Sequence, residues 1–118
     1  MLLEIKNLNI GFESPQGVSP AVQNLNLQLF NGETLGLVGE SGSGKSVTAL
    51  SILGMLPRNA RISGDIHYSP LERTSVNLTQ CLPAELSKIR GARIAMIFQE
   101  PMTALNPVFR CGYQLTEA

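Results

Sequence analysis

The sequence predicts an α/β fold, and three observations carry that expectation. Two alternating apolar runs lie close together near the N-terminus, a glycine-rich stretch separates an apolar run from a helical pattern, and a near-continuous apolar run follows at 93–98. Alternation marks strands at about 2–10 (LLEIKNLNI) and 22–30 (VQNLNLQLF), because successive side chains of a strand face opposite sides. Between them GFESPQGVSP holds two Gly and two Pro and reads as a turn, so the opening is an antiparallel β unit. Asn31-Gly32-Glu33 is a tight turn into a third apolar run, TLGLVG at 34–39.

After the glycines, Lys45 to Met55 places Val47, Leu50, Ile52 and Leu53 at helical spacing, and Pro57 ends that helix. RISGDIHYS at 61–69 reads as another strand, and LERTSVNLTQ after it is polar and weakly patterned. Pro83 opens a short helix through Arg90, since proline fits a first helical turn. RIAMIF at 93–98 has the composition of a strand buried on both faces, and Pro101 and Pro107 keep the following segment out of regular structure. We find no internal repeat and no low-complexity tract.

A chain of 118 residues supports one compact domain at most, burying roughly two-thirds of its unfolded surface. Nine Lys and Arg balance nine Asp and Glu, so no net field favours nucleic acid or an anionic membrane, and no nucleic-acid partner is expected. The longest apolar runs, such as IAMIF at 94–98, are far short of the roughly 20 residues that span a bilayer. The N-terminus, MLLEIKNLNIGFES, has none of the features of a leader, which predicts a cytosolic chain. Cys81 and Cys111 lack the paired spacing of a zinc or redox motif and read as free thiols in a reducing compartment.

GESGSGKS at 39–46 fits G-x-x-x-x-G-K-[ST] at every fixed position, between an expected strand and an expected helix. Gly39, Gly42 and Gly44 permit backbone angles that let successive N–H groups converge on phosphate oxygens, and the helix N-terminus adds positive potential. Lys45 is placed to meet the β- and γ-phosphates, and the Ser46 hydroxyl to coordinate Mg2+ bridging them. Glu40 occupies a free position of the pattern and reads as a solvated carboxylate. Such a loop names a ligand class and no more.

The flanks are more specific. NLNLQLFNGETLGLVGESGSGKSVTAL resembles the loop region of ABC transporter ATPases, and SVTALSILGMLP with IAMIFQEPMTALNP at 94–107 is similar to their oligopeptide and dipeptide importer subfamily. The resemblance covers most of the chain and is weakest at 11–20 and 69–82. It implies the N-terminal portion (1–118) of one nucleotide-binding domain of the P-loop NTPase class. That portion combines an antiparallel β subdomain with part of a mixed or parallel core sheet carrying the loop and its helix.

The resemblance implies ATP and Mg2+ as cofactors. Phe12, Gly39, Ser41, Gly42, Ser43, Gly44, Lys45, Ser46 and Val47 would contact nucleotide, with Phe12 stacking on adenine. Ser46 and Gln99 would meet the metal, and Lys45 and Gln99 would carry the catalytic roles. Gln99, after a buried strand, would lie at the same sheet edge as the loop, and residues 100–109 would transmit to membrane subunits. His67 is too early to match the family's γ-phosphate histidine and is expected to be an exposed strand residue. Asp65, the single aspartate, does not end an apolar run and is not the family's magnesium-side aspartate.

The family's signature motif, magnesium-binding strand and later histidine are not in these 118 residues. The chain is therefore expected to hold nucleotide without hydrolysing it, while its full-length parent is an ATPase. The implied partners are two membrane permease subunits, a second ATP-binding subunit and, indirectly, an external binding protein, at the cytoplasmic face of the membrane. The expected cargo is peptide, with nickel or glutathione as alternatives. A soluble ABC-type ATPase and a catalytically inert nucleotide-binding module are the other readings. Whether the parent is single or fused stays open. An unpaired apolar edge around Leu35 to Val38 is expected to favour self-association.

Overall fold

The computed structural model describes residues 1–40, 42–71 and 74–97. Two long strands come first, β1 (Leu3–Ser14) and β2 (Gly17–Leu29), followed by helix α1 (Lys45–Ile52), strand β3 (Ala60–Tyr68), the two-residue strand β4 (Val76–Asn77) and helix α2 (Pro83–Ile89). The strands form one antiparallel sheet in the order β2-β1-β3-β4. The expected hairpin is present, but it is longer than the turn residues suggest. Strand pairing runs on through Phe12↔Ser19 and Ser14↔Gly17, leaving only Pro15 and Gln16 to reverse the chain. Gly17 takes φ 115, a region open to glycine.

The core lies on one face of this sheet. Leu3, Ile5, Leu8 and Ile10 of β1 are buried with Val22, Ile66, Tyr68, Leu78 and Leu86. Strict alternation would put Ile5 and Leu8 on opposite faces, since they are three residues apart. Two bulges resolve this. Ile5 pairs with Leu27 and Leu8 with Leu25, so β1 carries one extra residue there, whereas between Leu8↔Leu25 and Ile10↔Val22 the extra residue belongs to β2. Asn7 and Asn24, the non-glycine residues with positive φ (49° each) among the described residues, sit in these bulges. Opposite the first, Gly64 of β3 takes φ +99, and a Cβ there would lie 2.4 Å from the Asn7 carbonyl oxygen. Only glycine lets β3 follow the bulge.

α1 ends earlier than Pro57 would impose. Gly54, at φ +65, donates its N–H to the Ser51 carbonyl (3.2 Å) and Met55 donates to Leu50 (3.0 Å). This pairing is the Schellman arrangement that closes a helix on a glycine. Arg90, at the end of α2, donates from Nε to the Leu53 carbonyl (2.7 Å) and from Nη2 to the Gly54 carbonyl (3.1 Å), tying the two helix ends together.

The expected core sheet is not found among the described residues. Residues 33–40 carry no ladder, and of 93–97 only Ile94 pairs, in an isolated parallel bridge to Arg90. A strand buried on both faces needs neighbours on both sides. Here no described strand runs beside TLGLVG, and Leu35, Leu37 and Val38 are 44%, 45% and 92% exposed.

β4 was not expected. It forms because Asn77 satisfies several groups at once: its Oδ1 accepts from Ile66 N (3.3 Å), Thr79 N (3.2 Å) and Thr79 Oγ1 (2.7 Å), and its Nδ2 donates to Asp65 Oδ1 (2.8 Å). No helix of the described residues is long and apolar enough to cross a membrane.

Candidate functional site

The glycine-rich loop meets the start of α1 against the flank of β2. Gly44 is the N-cap residue of α1, in the left-handed region at φ 95. A Cβ at this position would lie 2.7 Å from the Ala21 carbonyl oxygen and 3.1 Å from Val22 Cγ2. Glycine therefore serves twice here, for its backbone angle and for the close approach to β2. At Gly39 a Cβ would fall 2.6 Å from Ser43 Oγ, so the bare backbone leaves that hydroxyl its place. Gly42, at φ +82 with nothing within 4 Å of a Cβ, needs glycine for conformation alone.

Lys45 folds back over the loop. Its ammonium donates to the carbonyls of Gly39 (2.5 Å) and Glu40 (2.7 Å) and to Ser43 Oγ (3.1 Å), so all three protons are used within the loop. Thr48 closes the first turn, donating both N–H (2.9 Å) and Oγ1 (2.8 Å) to the Gly44 carbonyl. Beside the loop is a cleft of about 220 Å³, lined by Ala21, Val22 and Gln23 of β2 and by Val38, Lys45 and Thr48.

The structure thus brings Gly39, Ser43, Gly44 and Lys45 together. Gly42 and Ser46 stand exposed beside them, and Val47 is half-buried against the hydrophobic core. Glu40 is exposed, as expected of a solvated carboxylate, and takes part in the loop through its carbonyl. Phe12 lies within β1, paired with Ser19 and Ala60, and packs against the core without lining the cleft. Ser41 and Gln99 lie outside the described residues, as do the segment 100–109 and Cys111. His67 is in a strand as expected, opposite Glu4 and Asn77, but half-buried rather than exposed. Asp65 is bound to Asn77, away from the loop.

The wall that β2 gives to the cleft was not anticipated. Its sequence signal is the small residue Ala21 beside Val22, which only the fold shows to meet Gly44. The groups whose acidity is displaced lie elsewhere. The amide of Gln28, 3.0 Å from Glu4, holds that carboxyl below the usual range, and burial first, then Glu85, pushes the Cys81 thiol up.

The donor set fits a phosphate group. Glycine backbone, a helix N-terminus and an ammonium converge at one place, with no acidic side chain in the first turn of α1 to repel an anion. Among the described residues no group of three or more His, Cys, Asp or Glu could hold a metal ion. A hard cation here could take the Ser46 hydroxyl and would depend on phosphate oxygens and water for the rest.

Residues 22–112, from the loop-facing part of β2 onward, match the family described as ABC transporter. The chain belongs to the ABC transporter family. Relatives of this ABC transporter chain include the "Oligopeptide transport ATP-binding protein OppD" of Haemophilus influenzae, 50% identical over 116 residues, covering 98% of this chain and 34% of the relative. OppD of Escherichia coli K12 is 49% identical over 116 residues, covering 98% and 33%. The "Glutathione import ATP-binding protein GsiA" of Salmonella choleraesuis is 45% identical over 120 residues, covering 99% and 19%. The chain therefore spans about a third of the length of the oligopeptide-transport relatives.

Proposed function

We propose that this chain is the phosphate-binding portion of the ATP-binding subunit of an oligopeptide importer. The observation that carries it is the seating of Gly44 on β2 with Lys45 folded over the loop, in a chain half identical to oligopeptide-transport ATP-binding proteins. The loop N–H groups and the N-terminus of α1 bind and orient the phosphates. Lys45 exchanges some of its loop acceptors for phosphate oxygens, and the charge attraction offsets the hydrogen bonds given up. Ser46 offers its hydroxyl to Mg2+, which when bound neutralises phosphate charge. Ser41 would contact the phosphates, and Gln99 would meet the metal and the attacking water. Phe12, on β1 outside the cleft that Lys45 lines, would have to turn an aromatic face to adenine from there.

Within the full-length protein, a second ATP-binding subunit and two permease subunits at the cytoplasmic face of the membrane complete the importer. Oligopeptide cargo is favoured over glutathione because identity to OppD exceeds identity to GsiA. The experiment is titration with a fluorescent ATP analogue. Removing the ammonium with Lys45→Ala is expected to weaken binding at least about tenfold, matching the roughly 1.5–3 kcal/mol of a charged hydrogen bond. Equal binding by both chains would overturn the proposal.

A further inference from the structure

Asn-Leu-Asn occurs twice, at 7–9 and 24–26, and the two copies lie across from each other in the hairpin with Leu8 paired to Leu25. Each copy treats the other in the same way. Asn26 Oδ1 accepts from the Asn7 backbone N–H (3.0 Å), and Asn9 Oδ1 accepts from the Asn24 N–H (2.9 Å). Each of these side chains also donates from Nδ2 to the carbonyl two residues earlier on its own strand, Asn9 to Asn7 (2.9 Å) and Asn26 to Asn24 (3.2 Å). The residues so bound, Asn7 and Asn24, are the two bulged residues at φ 49. Asparagine tolerates that conformation better than other residues with a Cβ, and its amide can stand in for a missing backbone partner. The arrangement is a local two-fold clasp in which each strand's bulge is held by the other strand's side chain.

The two halves of the clasp have different neighbours. Asn26 Oδ1 holds the N–H of the β1 bulge, which faces Gly64 of β3, and reaches the β2 bulge through the longer bond from its Nδ2 to the Asn24 carbonyl (3.2 Å). Asn9 fixes the bulge of β2 at Asn24, next to Gln23 and two residues beyond Val22, and both of these line the cleft at the phosphate loop. The Ala21 carbonyl, against which Gly44 is seated, belongs to the same stretch, where a further register shift separates Ile10↔Val22 from Gly11↔Pro20. We infer that Asn9, through its hydrogen bond to Asn24, is a positioning residue for the phosphate loop: it sets the path of residues 21–25 and hence the surface on which Gly44 and Lys45 rest. This assignment rests on the nucleotide-binding reading above.

The internal symmetry supplies the control. Asn9→Ala and Asn26→Ala each remove one equivalent acceptor and one equivalent donor, so a purely structural clasp predicts equal effects on every measurement. A positioning role predicts similar drops in melting temperature. It also predicts affinity for a fluorescent ATP analogue about tenfold weaker in Asn9→Ala but within about twofold of wild type in Asn26→Ala. Asn9→Asp, which keeps the acceptor for Asn24, is expected to return affinity to within about threefold. Hydrogen exchange of amides 42–48, read without nucleotide, is expected to accelerate in Asn9→Ala only. Should Asn9→Ala not fold, the pair Asn9→Ser and Asn26→Ser takes its place, since a serine hydroxyl is too short to reach across. If the wild-type chain does not bind the analogue, the proposed function falls while the exchange comparison still decides the role of Asn9. Equal effects of the two substitutions on affinity and exchange, or no effect of either, would overturn the inference.

Discussion

Replacing Gly44 by alanine separates two costs that a glycine-rich loop usually presents together. Gly42 and Gly44 both have positive φ, +82 and +95, so alanine at either position carries the left-handed penalty of about 1–2 kcal/mol. At Gly42 nothing lies within 4 Å of the new Cβ. At Gly44 the Cβ would sit 2.7 Å from the Ala21 carbonyl oxygen, a backbone atom of a paired strand that cannot swing aside, and 3.1 Å from Val22 Cγ2. Overpacking of this kind adds about 2 kcal/mol. Gly42→Ala is thus expected to cost about 1 kcal/mol and Gly44→Ala about 3 kcal/mol, or drops of about 4 °C and 12 °C in melting temperature for a domain of this size. If the chain escapes the clash by moving the loop away from β2, the 2 kcal/mol difference emerges instead as nucleotide affinity about 30-fold weaker than in Gly42→Ala. Thermal melting and analogue titration on both variants give the answer. Matching melting temperatures together with matching affinities would refute the claim that Gly44 is seated on β2.

Three further outcomes follow from named contacts. Asn77→Asp puts a carboxylate beside Asp65, where the amide now donates at 2.8 Å. One of the two acids should then titrate above its unfolded value, so the variant's stability is retained at low pH and lost as pH rises through the carboxylate range, read by melting between about pH 3 and 7. Cys81, whose thiol is pushed up by burial and then by Glu85, should alkylate with iodoacetamide at pH 8 more slowly than a small free thiol. In a Cys111→Ser background Glu85→Gln should speed this about twofold, the smaller share because burial remains. Leu35, Leu37 and Val38 leave an apolar run without a ladder among the described residues. Sedimentation is expected to show concentration-dependent association at micromolar protein, reduced by Leu35→Lys; a monodisperse monomer would refute it.

What the sequence made legible was mostly local. The period-two runs located β1, β2 and β3, the helical spacing located α1, and Pro83 located the start of α2. The fixed positions of the loop named Gly39, Gly44 and Lys45, which the fold brings together, because each answers a requirement of a few neighbouring residues. Features that depend on a distant partner were hidden. TLGLVG has the composition of a strand, but a strand needs neighbours that its own residues do not encode. Gly64 is demanded by the Asn7 carbonyl, and β4 by the contacts of Asn77 with Asp65, Ile66 and Thr79. The end of α1 was misplaced because Pro57 is the louder signal while Gly54 closes the helix first. Phe12 could be named from resemblance, yet its place between Ser19 and Ala60 follows from the unexpected length of the hairpin.

The bulges at Asn7 and Asn24 make chain length itself a local property of β1 and β2. Each bulge adds one residue to one strand, and the two additions cancel, since the pairing offset at Ile10↔Val22 is again that of Ile5↔Leu27. An in-frame deletion of Asn7 alone would leave Ile5 and Leu8 two residues apart, so that regular alternation by itself would keep Leu3, Ile5, Leu8 and Ile10 on the core face, and deletion of Asn24 alone would bring Val22 and Leu25 to the same spacing. Deleting both would leave the hairpin regularly alternating from Leu3 to Ile10, with the shift between Ile10 and Gly11 remaining, and would free Gly64 from the carbonyl that now forbids it a side chain. Gaps at these two positions should therefore spare the apolar face whether they occur singly or as a pair.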